Sequence, residues 1–405
     1  MKPDAQHLWR GPRWTLALLM AGLGMLGPFS IDTYLPAFGG MAAALQASPV
    51  QLQQTLSSYL LGFAVMNLFH GALSDSFGRR PTVIVGMLVF TGASIGCALS
   101  SSIGMLVAMR ALQGMSAGAG MVVGRALVRD LFAPVDAQRV MSQVTLFFGL
   151  GPALAPLIGG ILFDQLGWRA IFWFLAALGL LLLAVNARLL PETLPPTKRQ
   201  AFAPGHLLRG YAQMVASARF LALTVASGVP FNGFFLYVLS APVFLGEHLR
   251  LAPTQFFWFF LCTVAGVMSG AWLSGRLSGR IAPPRQIAWG YTLMTVMAVL
   301  NLTLNALLPP HPAWSIAPIA LYAAGWSLMT PVVTLMLLDQ VPDRRGMASS
   351  VQASIGSAAN AAVAGVLAPW VMHSTVALAA ASLALGGAGL LAWLWVRRRV
   401  TAPGR

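Results

Sequence analysis

The chain has 405 residues, of which 57% are apolar and only 9% are charged, and its formal net charge is +15. A soluble domain carries about a quarter charged residues, so this composition excludes an ordinary water-facing surface and predicts extensive contact with lipid. The sequence has 25 Lys and Arg residues, and all but three lie on one side: at the two termini, or next to the loops that follow even-numbered apolar segments. The exceptions are Arg110, Arg169 and Arg250. This asymmetry follows the positive-inside rule, predicts that both termini are cytoplasmic, and argues against nucleic-acid binding.

Twelve apolar runs follow one another along the chain, each long enough to cross a hydrocarbon core of about 30 Å. The predicted spans are residues 14–38, 53–73, 81–100, 104–126, 138–163, 169–189, 218–242, 254–274, 286–307, 313–337, 347–371 and 375–396. The first run is too long for the apolar part of a cleaved signal peptide, so it is predicted to be a span. Because Cys97 and Cys262 both fall inside predicted spans, neither a disulfide framework nor a metal site is expected.

The longest polar interval divides the twelve spans into two sets of six. It predicts a six-helix N-terminal half, residues 1–190, a cytoplasmic linker, residues 191–217, and a six-helix C-terminal half, residues 218–405. Two stretches of the first half have echoes in the second: residues 45–51 resemble 249–255, and residues 71–80 resemble 271–280. Such internal repeats are common in transporters that bind substrate near mid-membrane. The expected fold is therefore an all-α membrane protein with two pseudo-symmetric six-helix halves.

Asp32 is the one acidic residue inside a predicted span. An acid near the centre of a membrane helix costs about 2.5–3.5 kcal/mol to insert, which favours a functional role. Burial penalises the charged form of a carboxyl group, so Asp32 is predicted to bind and release a proton as the coupling site. The alternative is a structural acid that pairs with a base or lies near the periplasmic rim.

Arg110, in the fourth predicted span, is the predicted coupling partner of Asp32. Each of the two lies about six residues from the periplasmic end of its span, which is about 9 Å of depth at 1.5 Å per residue. Gln113 and Ala117 share one helical face with Arg110. The alternative is that Arg110 binds backbone carbonyls and fixes span four against span one, and the two roles are compatible.

The loop after the second span carries a motif of glycine, acidic and basic residues. Asp130, at the cytoplasmic end of span four, is the predicted partner of Arg79, and a charge pair that breaks and reforms would gate the cytoplasmic mouth. The alternative is that the motif only anchors the topology. Gly275 stands at the position of Asp75 in the second-half echo, so an asymmetric gate is expected. The predicted gate consists of Gly71, Asp75, Gly78, Arg79, Arg80 and Asp130.

The fifth predicted span is rich in glycine and proline. Its prolines remove helix hydrogen bonds and favour a bend, while its glycines allow a neighbouring helix to approach closely. A bent, closely packed span is predicted to seal a pathway against passive leak. The residues of this motif are Gly151, Pro152, Pro156, Gly159 and Gly160.

Aromatic and polar residues near helix centres are the candidates for a substrate pocket. An apolar surface with few polar anchors suits varied amphipathic ligands. A single aromatic residue can instead face lipid or pack between helices. The candidate substrate-binding residues are Phe29, Tyr34, Tyr59, Gln113, Ala117, Phe147, Asn232, Phe235, Tyr237, Trp326 and Gln352.

Taken together, the Asp32 segment, the loop at residues 71–80, the Arg110–Gly114 segment and the fifth-span motif resemble the signature of the major facilitator superfamily. Within it, the chain resembles the twelve-span drug:proton antiporters of the bicyclomycin-resistance (Bcr/CflA) type. This resemblance implies export of small molecules by alternating access, with the proton as coupling ion, no other cofactor, a monomer, and a place in the bacterial inner membrane. Some such antiporters carry a second acid earlier in span one; residues 20–27 hold none, so exchange at a single site is expected.

Other functions fit the same sequence less well. An exporter of a metabolite such as an amino acid, short peptide or siderophore would share the fold, and an uptake symporter would not need the fifth-span motif. A receptor that binds without transport would show no proton-dependent flux. The sequence offers no nucleophile–base pair and no metal-ligand cluster, so an enzyme is not expected.

Overall fold

A computed structural model describes residue 9 and residues 11–132, 134–199, 202–341 and 345–401. Within these residues the secondary structure is helical and includes no β-strand. The helices form two compact units, Met1–Ala203 and Pro204–Arg405. The predicted all-α class is therefore confirmed.

The first unit contains seven α-helices among its described residues. They are α1 (Arg13–Asp32), α2 (Phe38–Leu45), α3 (Pro49–Phe77), α4 (Arg79–Ala98), α5 (Ile103–Leu131), α6 (Pro134–Leu166) and α7 (Trp168–Leu189). A 3₁₀ turn, Leu35–Ala37, joins α1 to α2, and the apolar stretch Trp14–Leu45 is longer than the predicted first span. Pro36 in this turn has no N–H to continue a helical ladder, so the first span is interrupted just after Asp32.

The second unit contains ten α-helices among its described residues. They are α8 (Pro204–Val215), α9 (Ala218–Gly228), α10 (Phe231–Leu239), α11 (Phe257–Leu277), α12 (Pro283–Leu307), α13 (Pro312–Ser315), α14 (Ala317–Leu338), α15 (Arg345–Ala362), α16 (Ala368–Val371) and α17 (Thr375–Thr401). Two π-helical segments, Pro242–His248 and Val363–Leu367, follow α10 and α15.

Ten described stretches are long and apolar enough to cross a membrane, and α9 with α10 forms an eleventh that bends by 48°. The helix α6, 33 residues long, occupies the position of the predicted fifth span and carries the apolar stretch Leu154–Leu166. The span predicted over residues 218–242 is therefore present but interrupted, because α9 ends at Gly228 and α10 begins only after Pro230.

The two units repeat the same packing of helices. In the first unit α5 packs on α1, α3 and α4, and α4 packs on α7; in the second, α14 packs on α9, α11 and α12, and α12 packs on α17. The backbone repeats as well. Gln51 and Gln255 each accept, through Oε1, the main-chain N–H three residues earlier, at 2.8 and 2.9 Å. The non-glycine residues with positive φ among those described, Gln46 and Arg250, lie five residues before these glutamines.

Candidate functional site

Asp32 is the last residue of α1 and is almost completely buried. No hydrogen bond or ion pair joins its carboxylate to another described residue. The nearest hydroxyl groups along the helix are bonded to their own backbone: Ser30 Oγ donates to Leu26 O and Thr33 Oγ1 donates to Phe29 O, both at 2.6 Å. The carboxyl group is therefore free to accept a proton or a donor group of a ligand.

Arg110 is fully buried between α1 and α3. Its Nη1 donates to Ser30 O at 3.1 Å and to Gln113 Oε1 at 2.6 Å. Its guanidinium carbon lies 4.4 Å from the ring centroid of Tyr34 and 4.4 Å from that of Tyr59. A cation over an aromatic face gains about 0.5–2 kcal/mol, so the two rings hold the charge in place.

Arg110 reaches the backbone next to Asp32 rather than its carboxylate. The accepting carbonyl belongs to Ser30, and no ion pair joins Arg110 to Asp32. Nε and Nη2 of Arg110 have no hydrogen-bond partner among the described residues. The backbone contact that ties span four to span one is thus present, and two donors of the same side chain remain unused.

The two tyrosine rings are fixed by their hydroxyl groups. Tyr34 Oη lies 2.5 Å from Thr55 Oγ1, and Tyr59 Oη donates to Gly27 O at 2.9 Å. The structure thereby brings Tyr34 and Tyr59 together around Arg110, a set that the sequence did not group. Thr55 was not singled out, because nothing in its spacing distinguishes it from other hydroxyl residues.

Gln113 extends the cluster away from Arg110. Its Nε2 donates to Ser94 Oγ of α4 at 2.7 Å, so both the oxygen and the nitrogen of its amide are hydrogen-bonded. Ala117 is buried one turn further along, and Phe29 is buried with its ring centroid 6.1 Å from that of Phe174. Ser94 is another partner that sequence reasoning missed.

The glycines of α6 lie against α1 near Asp32. A Cβ at Gly159 would overlap the carbonyl oxygen of Thr33, and a Cβ at Gly151 would lie 2.5 Å from Met25 Cγ. Any larger residue at Gly159 would therefore push α6 away from the backbone that follows Asp32.

The remaining residues of the fifth-span motif lie in the same helix. Pro152 and Pro156 are inside α6, which continues through both, and Gly160 is buried. Phe147 also falls in α6, but its side chain lies outside the part of the chain that the structure describes.

A network of charges occupies one end of the first unit, called here the charged end. Arg79 Nε donates to Asp130 Oδ2 at 3.2 Å, and its Nη1 binds Asp75 and Ser74 Oγ, the latter at 2.6 Å. Thr193 Oγ1 donates to the same Asp130 oxygen at 2.8 Å. The loop after α3 is thereby joined to the ends of α5 and α7.

Glu192 completes the charged end, although the sequence did not assign it to the gate. Its two carboxylate oxygens accept the main-chain N–H groups of Arg79 and Arg80 at 3.1 and 3.3 Å, at the N-terminus of α4. Arg199 Nη2 lies 3.7 Å from Glu192 Oε2. A carboxylate at a helix N-terminus binds unpaired N–H groups and the positive end of the helix dipole.

The two glycines of the charged end differ in how much room they leave for a side chain. Gly78 has a φ of 106°, and a Cβ there would overlap Glu192 Oε2, so this position requires glycine. Gly71 is less constrained, because a Cβ there would meet only Val122 Cγ1 at 4.0 Å. Arg80 Nη2 donates to Ala187 O at 2.5 Å.

In the second unit, polar groups gather at the break between α9 and α10. Trp326 Nε1 donates to Ser227 O at 2.9 Å, and Gln352 Nε2 donates to Ser227 Oγ at 2.9 Å and to Thr334 Oγ1 at 3.2 Å. The structure therefore joins Trp326 and Gln352 through Ser227, which was not predicted. Phe231 stacks on Phe235 and contacts Trp326, with ring centroids 4.9 and 5.0 Å apart.

Asn232 and Tyr237 belong to other environments of the second unit. Asn232 is buried, and its Oδ1 has no hydrogen-bond partner among the described residues. Tyr237 Oη accepts Nδ2 of Asn301 at 2.6 Å, so it forms a separate polar pair between α10 and α12.

Comparison with known proteins places the chain among transporters. The family model described as the Major Facilitator Superfamily matches residues 19–364. The bicyclomycin resistance protein homolog of Haemophilus influenzae is 29% identical over 361 residues, which cover 88% of this chain and 89% of that protein. Multidrug resistance protein D of Escherichia coli is 27% identical over 391 residues, 96% and 98% of the two chains. Multidrug resistance protein MdtL of Escherichia coli O45:K1 is 31% identical over 330 residues, 81% and 82%.

Two solved structures share the fold at lower identity. An auto-inhibited POT family peptide transporter has a TM-score of 0.70 at 17% identity and covers 96% of this chain and 98% of its own. The human organic anion transporter MFSD10 has a TM-score of 0.63 at 21% identity, with coverage of 96% and 100%. At these identities the similarity establishes the fold alone.

Proposed function

Because the chain belongs to the major facilitator superfamily, we propose that it is a proton-coupled antiporter that exports small amphipathic drugs across the bacterial inner membrane. Family membership makes it a multi-pass membrane transporter of small molecules rather than an enzyme. The coupling ion, the direction and the cargo are our proposal. Relatives named for bicyclomycin and multidrug resistance support drugs as the cargo class.

The observation that carries this proposal is the buried carboxyl group of Asp32, which has no partner among the described residues. It lies two residues from the carbonyl that Arg110 binds. In the proposed cycle this group holds a proton in one step and, as a carboxylate, binds a donor group of the substrate in another. Since residues 20–27 contain no second acid, exchange at this single site is the mechanism we favour.

In this mechanism Arg110 acts as a fixed cation. The rings of Tyr34 and Tyr59 hold its guanidinium group, which binds the carbonyl of Ser30, two residues before Asp32, and makes no ion pair with Asp32. A nearby positive charge stabilises the carboxylate after its proton has left, and this effect is strong in a medium of low dielectric constant. A permanent ion pair would instead occupy the carboxylate and exclude the substrate.

The driving force is sufficient for export of a neutral drug. One pH unit contributes about 1.4 kcal/mol per proton, and a membrane potential of 100 mV contributes about 2.3 kcal/mol per charge. Exchange of one proton for one neutral molecule then sustains a concentration ratio of a hundredfold or more.

The charged end is the proposed cytoplasmic gate. The positive-inside rule supports a cytoplasmic position for it and for both chain termini. The bonds of Arg79 to Asp75 and Asp130 would break and reform during alternating access, and Glu192 would keep the N-terminus of α4 in place. We propose the half boundaries of residues 1–190 and 218–405 for this motion, with residues 191–217 as linker, in a monomer that needs no cofactor besides the proton.

The substrate surface is proposed to include neutral groups of the second unit. Phe231, Phe235 and Trp326 offer stacking surfaces, and Gln352 offers an amide beside them. Asn232 adds a buried amide oxygen that has no partner among the described residues. These groups suit amphipathic compounds, which need apolar contact and a few polar anchors.

The test is transport in everted membrane vesicles. A panel of bicyclomycin, cationic dyes, amino acids and dipeptides is added, and substrate-induced proton release is measured for the native protein, Asp32→Asn and the control Asp164→Asn. Asp164 is exposed near the end of α6, outside the proposed machinery. We expect drugs to release protons from native and Asp164→Asn vesicles, and Asp32→Asn to lower this release at least a hundredfold.

Each other outcome removes a named part of the proposal. Full proton-coupled transport by Asp32→Asn would exclude Asp32 as the carrier site. Native transport without proton release would exclude antiport, and proton release only with amino acids or dipeptides would make the protein a metabolite exporter.

A further inference from the structure

A cavity of about 490 Å³ lies between α3, α4 and α5 of the first unit. Its lining is apolar apart from His70, Thr82 and Ser116. Val85 of α4 and Met115 of α5 line it and are 58% and 37% exposed, so the cavity is a groove that opens at the surface of membrane-spanning helices. Neither Asp32 nor Arg110 belongs to its lining, which separates it from the proposed proton site.

One buried polar side chain lines this groove, and a second lies one turn earlier in the same helix. His70 lines it and is 3% exposed, and no hydrogen bond joins its imidazole to another described residue. Asn67, one turn earlier in α3, is 2% exposed, and neither amide atom has a partner among the described residues. Buried polar groups are nearly always hydrogen-bonded, so the imidazole of His70 is out of place in an apolar wall unless a bound molecule supplies its partner.

Gly118 of α5 lies beside these two groups. A Cβ at this position would lie 2.6 Å from Asn67 Oδ1 and 3.3 Å from His70 Nδ1. The Asn67 oxygen and His70 Nδ1 therefore lie against bare backbone of α5, while the rest of the imidazole ring forms part of the groove wall. A neutral imidazole has one donor and one acceptor, so it can bind either kind of polar group.

The depth of His70 selects the kind of occupant. It lies seven residues before the end of α3 at Phe77, about 10 Å along the helix axis. The charged end begins there with Asp75, whose side chain is 44% exposed, and a phospholipid would place its polar headgroup at that level. Its acyl chain would then present only methylene groups to His70, and these cannot form hydrogen bonds.

We propose that this groove is a second binding site, which takes a lipophilic small molecule dissolved in the bilayer, with an aromatic or cyclic body and a carbonyl that His70 hydrogen-bonds. The volume lies within the range of about 300–1,000 Å³ of drug-sized sites. The apolar lining receives the body of the molecule, and His70, which lines the groove, binds its one polar group. The site does not depend on Asp32 or on proton coupling.

The experiment uses benzophenone as the probe, because it combines two apolar rings with a carbonyl and forms covalent bonds to nearby C–H groups on irradiation. The full chain in phospholipid nanodiscs is irradiated with benzophenone, and labelled residues are found by mass spectrometry. We expect labelling of Met66 and Met115, which line the groove.

Three variants and a control test the chemistry of the site. His70→Leu keeps the volume and removes the hydrogen bond, and Val85→Trp fills the groove from its exposed side; each is expected to lower labelling at least fivefold. His70→Gln retains a hydrogen-bonding group and is expected to keep half of the labelling or more. The control Val299→Trp, at a 46% exposed position of α12, is expected to stay within twofold of the native protein.

A second arm distinguishes a resident lipid from a dissolved molecule. It uses a phospholipid that carries benzophenone midway along one acyl chain. Equal labelling by this lipid in the native protein and in His70→Leu, with free benzophenone also unaffected by the substitution, would overturn the proposal and make the groove a lipid-tail site. Absence of groove labelling in the native protein would overturn it as well. Labelling of Asp32→Asn is expected to equal that of the native protein, so this result is separate from the transport test.

Discussion

The two units share their helix packing but differ in where they place charge. The first unit buries Asp32 and Arg110 and joins Arg79 to Asp130 at its charged end. The second unit has no Asp, Glu, Lys or Arg within residues 220–246, 251–275, 286–338 or 346–396. Its polar positions hold amides, hydroxyl groups and an indole instead. The two units therefore share close contacts between helix backbones but differ in the charged and polar side chains that lie between the helices.

One pair of equivalent residues shows this difference directly. Ser74 and Ser274 occupy the same position of the two related segments, and both are buried. Ser74 Oγ accepts Nη1 of Arg79 at 2.6 Å, whereas Ser274 Oγ accepts Nε2 of Gln286 at 2.7 Å. The hydrogen bond is kept in both units, but its donor is charged in only the first.

The largest expected effect concerns the packing that the units share. A Cβ at Gly114 would overlap Tyr59 O, and a Cβ at Gly266 would overlap Ala320 O. Gly114→Leu and Gly266→Leu are each expected to prevent stable folding, because neither backbone can move away without separating two helices. Thermal unfolding in detergent measures the effect, with Gly92→Leu as control, since a Cβ at Gly92 has no neighbour within 4 Å. Tolerance of leucine in one unit would show that the two do not depend on the same close contact.

The next effect tests whether coupling belongs to the first unit and ligand choice to the second. Arg110→Lys keeps the charge but loses the planar group between the tyrosine rings, so proton release per substrate is expected to fall about tenfold or more. Trp326→Phe keeps an aromatic ring and loses the bond to Ser227, so it is expected to change which compounds are exported and leave proton release per molecule intact. Both are measured in the same vesicles. Loss of proton release per exported molecule in Trp326→Phe would contradict the assignment of coupling to the first unit and ligand choice to the second.

The smallest effect compares the equivalent serines. Ser74→Ala removes a hydrogen bond from a charged donor, about 1.5–3 kcal/mol, while Ser274→Ala removes one between neutral groups, about 0.5–1.5 kcal/mol. The decrease in unfolding temperature is expected to be about twice as large for Ser74→Ala. Equal decreases would mean that the charge on Arg79 adds nothing to the stability of the charged end.

The all-α class and the order of the apolar spans along the chain could be predicted because long apolar runs have few other stable forms in a membrane. The positions at which helices break within a span could not be predicted. Pro36 and Pro230 lie at interruptions, but Pro28, Pro152 and Pro331 lie inside continuous helices. A proline therefore does not by itself locate a break, because neighbouring helices determine whether the ladder resumes beyond it.

The candidate site was predictable to the extent that buried charge is rare. Asp32 and Arg110 stand out in any apolar sequence, and Arg79 with Asp130 follows from their positions at the ends of spans. The rings around Arg110 were not predictable as a set, because their contact depends on the separation of three helices. Glu192 was accessible to sequence reasoning: it is one of only two glutamates in the chain and follows the sixth predicted span directly.

The surroundings of Arg110 also bear on the biogenesis of the protein. An arginine at the centre of an isolated membrane helix costs about 2.5–3.5 kcal/mol to insert. Ser30, Tyr34 and Tyr59 contact Arg110 directly, and all three precede it in the chain. Because synthesis proceeds from the N-terminus, these groups leave the ribosome before the fourth span does. The order of the spans thus brings the helix that carries Arg110 into a membrane that has already received the groups that contact this side chain.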